Sequence, residues 1–120
     1  MYKLIILIGP VAGSQYFREN WPEFLHNAED MPYLIREASV HVHATLYGEG
    51  GIHKIHELFF ATLNDLQAAL ESPQGQAAGQ MLQKITHGHM TLLTAEHKQD
   101  NMENLRKLKR DESHQDTKPQ

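Results

Sequence analysis

The chain has 120 residues, 40% hydrophobic and 22% charged, enough to bury a single core and too apolar for a disordered chain. It contains no cysteine, which removes disulfides, zinc knuckles, thiolate nucleophiles and iron–sulfur clusters, and leaves the redox compartment undetermined. Its net charge of −4 argues against nucleic-acid binding, and its longest apolar run, Leu4 to Ile8, is too short for a membrane span or a signal peptide, so a cytoplasmic protein is expected.

Lys3 to Ile8 is β-rich, apolar on both faces and closed by Gly9-Pro10, which predicts a central first strand. Ser14 can cap a helix in which Phe17, Trp21, Leu25 and Ala28 recur at helical spacing, and Pro22 predicts a kink or restart within it. Met31-Pro32 ends that helix. Tyr33 to Tyr47 then holds a second strand, with alternation clearest in Val40-His41-Val42-His43, and Gly48 to Gly51 turns the chain into a third strand, Ile52 to Phe60. Thr62 opens a helix with Leu63, Leu66 and Leu70 on one face, Ser72-Pro73 restarts it, and the second piece, Pro73 to about Ile85, buries Ala77 or Ala78, Met81, Leu82 and Ile85. His89 to Glu96 is the fourth strand.

The order β-α-β-β-α-β is the ferredoxin-like plan, an α+β fold with a four-stranded antiparallel sheet and helices on one face. The domain is expected over residues 1–96, which carry five basic and ten acidic groups; residues 97–120 read as a polar tail, with a short helix at 101–110 and disorder beyond it. A sheet this apolar needs cover on its second face. A second copy supplies it most simply, giving a homodimeric α/β barrel with an interior pocket.

Three stretches carry a family resemblance: MYKLIILI, FRENWPEF with the following MPYL, and HKIHELFFATLNDLQAALESPQGQA. Over residues 1–96 the chain resembles EthD-like members of the dimeric α/β-barrel superfamily. The family's usual third segment is an apolar residue, Ala, Glu, an apolar residue and an aromatic pair, followed by a Leu-rich helix broken at Ser-Pro-x-Gly. Ile55, Glu57, Leu58, Phe59, Phe60, Ser72, Pro73 and Gly75 match it, and His56 stands in place of the small residue. The family's helix histidine falls at Leu25 here, with His26 one residue later. The resemblance implies a dimer and a pocket for small, often aromatic molecules handled in degradation or rearrangement.

Glu57 is the leading candidate for chemistry, because a carboxylate amid Ile55, Leu58, Phe59 and Phe60 is either costly to bury or purposely paired. Given an even register sum across the hairpin, Ile55, Glu57 and Phe59 share a face with His41 and His43, while Leu58 and Phe60 face the helices with Val40 and Val42. Glu57, His41 and His43 would then form an acid–base group inside the barrel, with Trp21, Ile55, Phe59 and His26 as ligand contacts. A one-residue slip dissolves that cluster. A structural ion pair at Glu57 is the simpler alternative, and a metal held by His41, His43 and either His53 or Glu57 is the rival. Gly9 to Gly13 lacks the Lys and Ser/Thr of a phosphate loop and the GxGxxG spacing, and no serine sits in a nucleophile elbow, so no cofactor and no serine hydrolase are expected. The expected partners are a second copy and a small apolar or aromatic ligand, with no nucleic acid and no membrane. Two functions remain: cofactor-independent acid–base or oxidative chemistry in a catabolic pathway, or a non-catalytic ligand-binding or accessory dimer.

Overall fold

A computed structural model describes residues 1–100, so the expected helix at 101–110 and the disorder beyond it lie outside the described residues. The elements follow the expected order: β1 (Tyr2–Ile8), a 3-10 turn (Pro10–Gly13), α1 (Gln15–Glu29), β2 (Arg36–His41), β3 (Lys54–Phe60), α2 (Leu63–Glu71), α3 (Pro73–Thr86) and β4 (Met90–Glu96). The four strands form one antiparallel sheet in the order β2-β3-β1-β4, the ferredoxin-like arrangement. None of the described helices is long and apolar enough to cross a membrane.

Local chemistry accounts for the helix boundaries. The Ser14 hydroxyl accepts a hydrogen bond from the Phe17 amide at 3.1 Å, and Thr62 accepts one from Asp65 at 3.0 Å, so each satisfies an amide that the first helical turn leaves unpaired. Ser72 accepts from the Gly75 amide at 3.0 Å and donates to the Ala69 carbonyl at 2.6 Å, ending α2 and starting α3 with one side chain. Gly75 is required by the same junction, because a Cβ there would stand 2.1 Å from the Ala69 carbonyl oxygen. The Ser-Pro-x-Gly motif is thus a device for turning the chain between two helices.

Pro22 does not split α1, which runs unbroken for 15 residues. Proline removes the bond to the Arg18 carbonyl, but residues 18 and 22 are both exposed, so water can serve that oxygen. Meanwhile Phe17, Trp21, Phe24 and Ala28 pin the opposite side of the helix to the sheet.

One cluster joins these residues to Leu4, Ile6 and Ile8 of β1, Leu58 and Phe60 of β3, Leu66 of α2, and Ala78, Leu82 and Ile85 of α3. Each large side chain buried this way contributes about 1.5–3 kcal/mol. The opposite face of the sheet carries Ile5, Leu7, Val40, Ile55 and Leu93, and none of the described helices packs on it. Val40 is 41% and Leu93 44% exposed, which is unusual for aliphatic residues gathered on one surface.

Strand limits differ from expectation around the hairpin. β2 stops at His41 and β3 begins at Lys54, so twelve residues, 42–53, join them instead of a four-residue turn. The pairing continues only as one bond, from the Val42 amide to the His53 carbonyl at 3.0 Å. At the far edge, His97 extends past β4: its amide bonds the Met1 carbonyl at 2.8 Å and its ring meets Phe59 edge-on at 5.0 Å. The segment expected as a polar tail from residue 97 thus begins with a ring that helps cover Phe59.

Candidate functional site

The β2–β3 register decides which side chains can meet. Ala38 pairs with Glu57, Ser39 with His56, Val40 with Ile55 and His41 with Lys54, a register sum that is odd where an even one was expected. Directly paired residues share a face. Val40, Ile55 and Glu57 therefore lie on the open face, and His41 lies on the helix side with Lys54 and His56.

This overturns the proposed grouping of Glu57 with His41 and His43. Glu57 pairs instead with the Lys3 ammonium on the open face, with both side chains largely covered. Phe59, also on that face, is 2% exposed because Arg36 lies over its ring at 4.1 Å and His97 packs against its edge. Ile55 lies beside them, so Ile55, Glu57 and Phe59 do share a surface. His43 falls beyond the end of β2 and lines a shallow depression of about 190 Å³ in the 42–53 connection together with His53. His26 is on the outer side of α1, its side chain 80% exposed and 3.9 Å from Asp30, remote from the other candidates. No group of three or more histidine, aspartate or glutamate side chains is placed to hold a metal ion among the described residues. Of the rival shells, the one with Glu57 is divided by the sheet itself, and in the one with His53 the cleft holds His41 while His43 lines the depression in the 42–53 connection.

What the register brings together lies between α1 and the start of β3. A cleft of about 370 Å³ is lined by Ala12, Gly13, Phe17, Arg18, Trp21, His41, His53 and Lys54. The 3-10 turn and the first turns of α1 make one wall, and the β2–β3 edge makes the other. Trp21 is held by stacking on Phe17, with ring centres 5.0 Å apart, and on Phe24 at 4.8 Å, so its indole is a fixed surface. Of the expected site residues, Trp21 and His41 reach this cleft.

Lys54 is the group that sequence reasoning passed over. It is 9% exposed, its ammonium lies 4.4 Å from the centre of the Trp21 ring, and burial pushes its pKa below the usual lysine value. No carboxylate lies within ion-pair distance of it among the described residues, and it makes no hydrogen bond. Among the described residues the indole face is its attractive neighbour, worth about 0.5–2 kcal/mol.

Behind Lys54 is a second buried group, His56, at 1% exposure. Its Nε2 is 3.2 Å from Glu37 Oε2 and its Nδ1 is 2.8 Å from Ser39 Oγ, while Trp21 and Phe24 meet the ring edge-on. Burial first, and the neighbouring Lys54 charge second, lower its pKa to about 4, with Glu29 and Glu57 opposing weakly. The imidazole is therefore neutral at pH 7. Because a carboxylate only accepts, Nε2 carries the proton and donates to Glu37, and the Ser39 hydroxyl donates to Nδ1. Glu37 also lies near Glu29, whose pKa is raised by interaction with the Glu37 carboxylate. A polar string, Ser39–His56–Glu37, thus runs inward from the exposed edge of the sheet. The signal for it was His56 in place of a small residue, one strand position from Glu57.

No protein-family model matches the sequence, and no curated protein matches it. Solved structures do share its fold. An ethyl tert-butyl ether D (EthD) family protein from Bacillus halodurans superposes with a TM-score of 0.74 at 23% identity, over 82% of this chain and 99% of that one. A dimeric ferredoxin-like protein of unknown function from Jannaschia sp. CCS1 gives 0.61 at 17% identity, over 80% and 97%. SnoaB, a cofactor-independent oxygenase from Streptomyces nogalater, gives 0.59 at 10% identity, over 84% and 96%. The ferredoxin-like architecture expected from the sequence is the architecture found, and it is shared with the EthD family protein.

Proposed function

We propose that the chain is a small-molecule-binding homodimer: two copies close their open sheet faces on one another, and each holds a compact aromatic or apolar molecule in the cleft beside Trp21. The observation that carries this reading is the cleft itself, an aromatic-walled hollow of about 370 Å³ on which four polar side chains, Arg18, His41, His53 and Lys54, converge. For assembly, the support is the half-exposed aliphatic surface around Ile55 and Leu93, a face that a two-fold partner covers with its own copy. Structures of the same fold are described as dimeric.

In this reading the chemistry is acid–base, one step of a catabolic sequence, with His41 at the cleft as the imidazole that exchanges a proton with the bound molecule. The cofactor-independent oxygenase among the similar structures is an example of this fold working without a bound cofactor. Glu57 belongs to the interface, where its bond to Lys3 lets a charged pair sit on a surface that a partner would cover. One observation favours a non-catalytic binding dimer instead: the sheet separates Glu57 from His41, so no carboxylate–imidazole pair faces the cleft.

The test is mass spectrometry of the molecule retained by native protein, followed by its turnover and the dimer mass in His41→Gln and Glu57→Gln. The expected result is that His41→Gln lowers kcat with the dimer intact, while Glu57→Gln weakens the dimer and spares turnover per dimer. Turnover abolished by Glu57→Gln in an intact dimer would return the chemistry to the open face. Full turnover in both variants would remove both residues from the chemistry, and no turnover of the retained molecule by wild type would leave only the binding role.

A further inference from the structure

The charge lining the cleft is one-sided. Lys54 and Arg18 are cations, His41 and His53 are imidazoles, and no carboxylate among the described residues lines the cavity, although the chain as a whole is acidic, with 15 Asp and Glu against 11 Lys and Arg. The Arg18 guanidinium is already bonded to the Gly13 carbonyl. Lys54 has no such partner among the described residues. Its side chain is nine-tenths buried, makes neither hydrogen bond nor ion pair with the described residues, and opens on the cavity.

An ammonium removed from water loses hydration that the face of an indole replaces only in part. Proteins that bury lysine usually set a carboxylate against it. Here the nearest titratable groups work the other way. His56, packed behind Lys54, is neutral and gives it no counter-charge, and Glu37 is engaged by His56 and Glu29. The missing counter-ion is one that a ligand can bring.

We propose that the cleft selects aromatic carboxylates, with the carboxylate meeting Lys54 Nζ and the ring packing beside Trp21 and Phe17. This rests on the cleft being the ligand site and deepens it by naming the ligand's charge and the residue that reads it. Two features set the preference. The buried ammonium gains a charge-assisted hydrogen bond that a neutral isostere cannot match. The flat aromatic wall favours a planar body over an aliphatic acid of the same charge.

Trp21 is the sole tryptophan, so its indole N–H gives a single resonance in a ¹H–¹⁵N spectrum of the full chain and reports occupancy directly. The probes are 2-naphthoate and its neutral isostere 2-naphthamide, each titrated into wild type, Lys54→Met and Lys54→Arg. The expected result is that both shift the Trp21 resonance, that the acid binds at least tenfold more tightly, and that this preference vanishes in Lys54→Met and survives in Lys54→Arg. Equal affinity for acid and amide in wild type overturns the carboxylate preference and leaves the cleft reading standing. No movement of the Trp21 resonance with either probe at millimolar concentration overturns both. If Lys54→Met does not fold, the wild-type acid–amide comparison alone decides.

Discussion

Burying His56 makes stability depend on pH in a direction and range that can be worked out. In the folded protein its pKa is about 4, against 6.5 for a free imidazole, so between these values the unfolded chain binds a proton that the folded one refuses. Stability from this group is therefore fully present above pH 6.5 and is lost as pH falls toward 4. At about 1.4 kcal/mol per unit, the whole loss is about 3 kcal/mol, of which about 2 kcal/mol falls between pH 7 and 5. Urea denaturation at matched protein concentration, at pH 7 and 5, measures it. His56→Ala, which restores the small residue of the EthD-like pattern, removes the titrating ring. That variant is less stable at pH 7, since it leaves a cavity and strips Ser39 and Glu37 of a partner, but its further loss on acidification is smaller than that of wild type by about 2 kcal/mol. Equal pH slopes in the two proteins, or a His56 ring resonance titrating near pH 6.5, would refute the reasoning.

Further outcomes follow from the same geometry. Gly75→Ala drives a Cβ into the Ala69 carbonyl, so the helix junction must open; the cost is about 3 kcal/mol, read as a fall in Tm of about 10 °C or more by circular dichroism. Ser72→Ala removes the cap at the same junction and costs about 1 kcal/mol, clearly less than the glycine change. Leu93→Glu places a charge on the open face at a half-exposed position, so the protomer still folds while light scattering reports the mass of a monomer. A wild-type monomer at tens of micromolar, or a dimer unaffected by Leu93→Glu, would rule out that face as the interface.

The fold was legible because its signals are local. Lys3 to Ile8 is too uniformly apolar for anything but an interior strand, and Ser14, Thr62 and Ser72-Pro73 mark their helix starts by hydrogen bonds made within three residues. Alternation within β3 also divided Leu58 and Phe60 from Ile55, Glu57 and Phe59 correctly, since the pleat alone decides it. The candidate site depended on something non-local, the register of β2 against β3. A two-residue turn would have fixed that register, but the twelve residues from 42 to 53 impose none. The odd pairing then exchanged the two faces of β2, sending His41 to Lys54 and Val40 to Ile55. Lys54 drew no notice because a lysine at a strand start ordinarily reaches solvent. Its burial follows from α1 crossing that corner and laying Trp21 over it.

β3 has no spare side. Its even-numbered residues Lys54, His56 and Leu58 serve the helix layer, and its odd-numbered residues Ile55, Glu57 and Phe59 serve the bare surface. Like a wall shared by two rooms, it cannot be altered for one tenant alone: inserting a single residue at residue 54 would push Glu57 among the helices and turn His56 outward. Natural variation in this strand should therefore be confined to replacement in place, with changes of length taken up in the 42–53 connection.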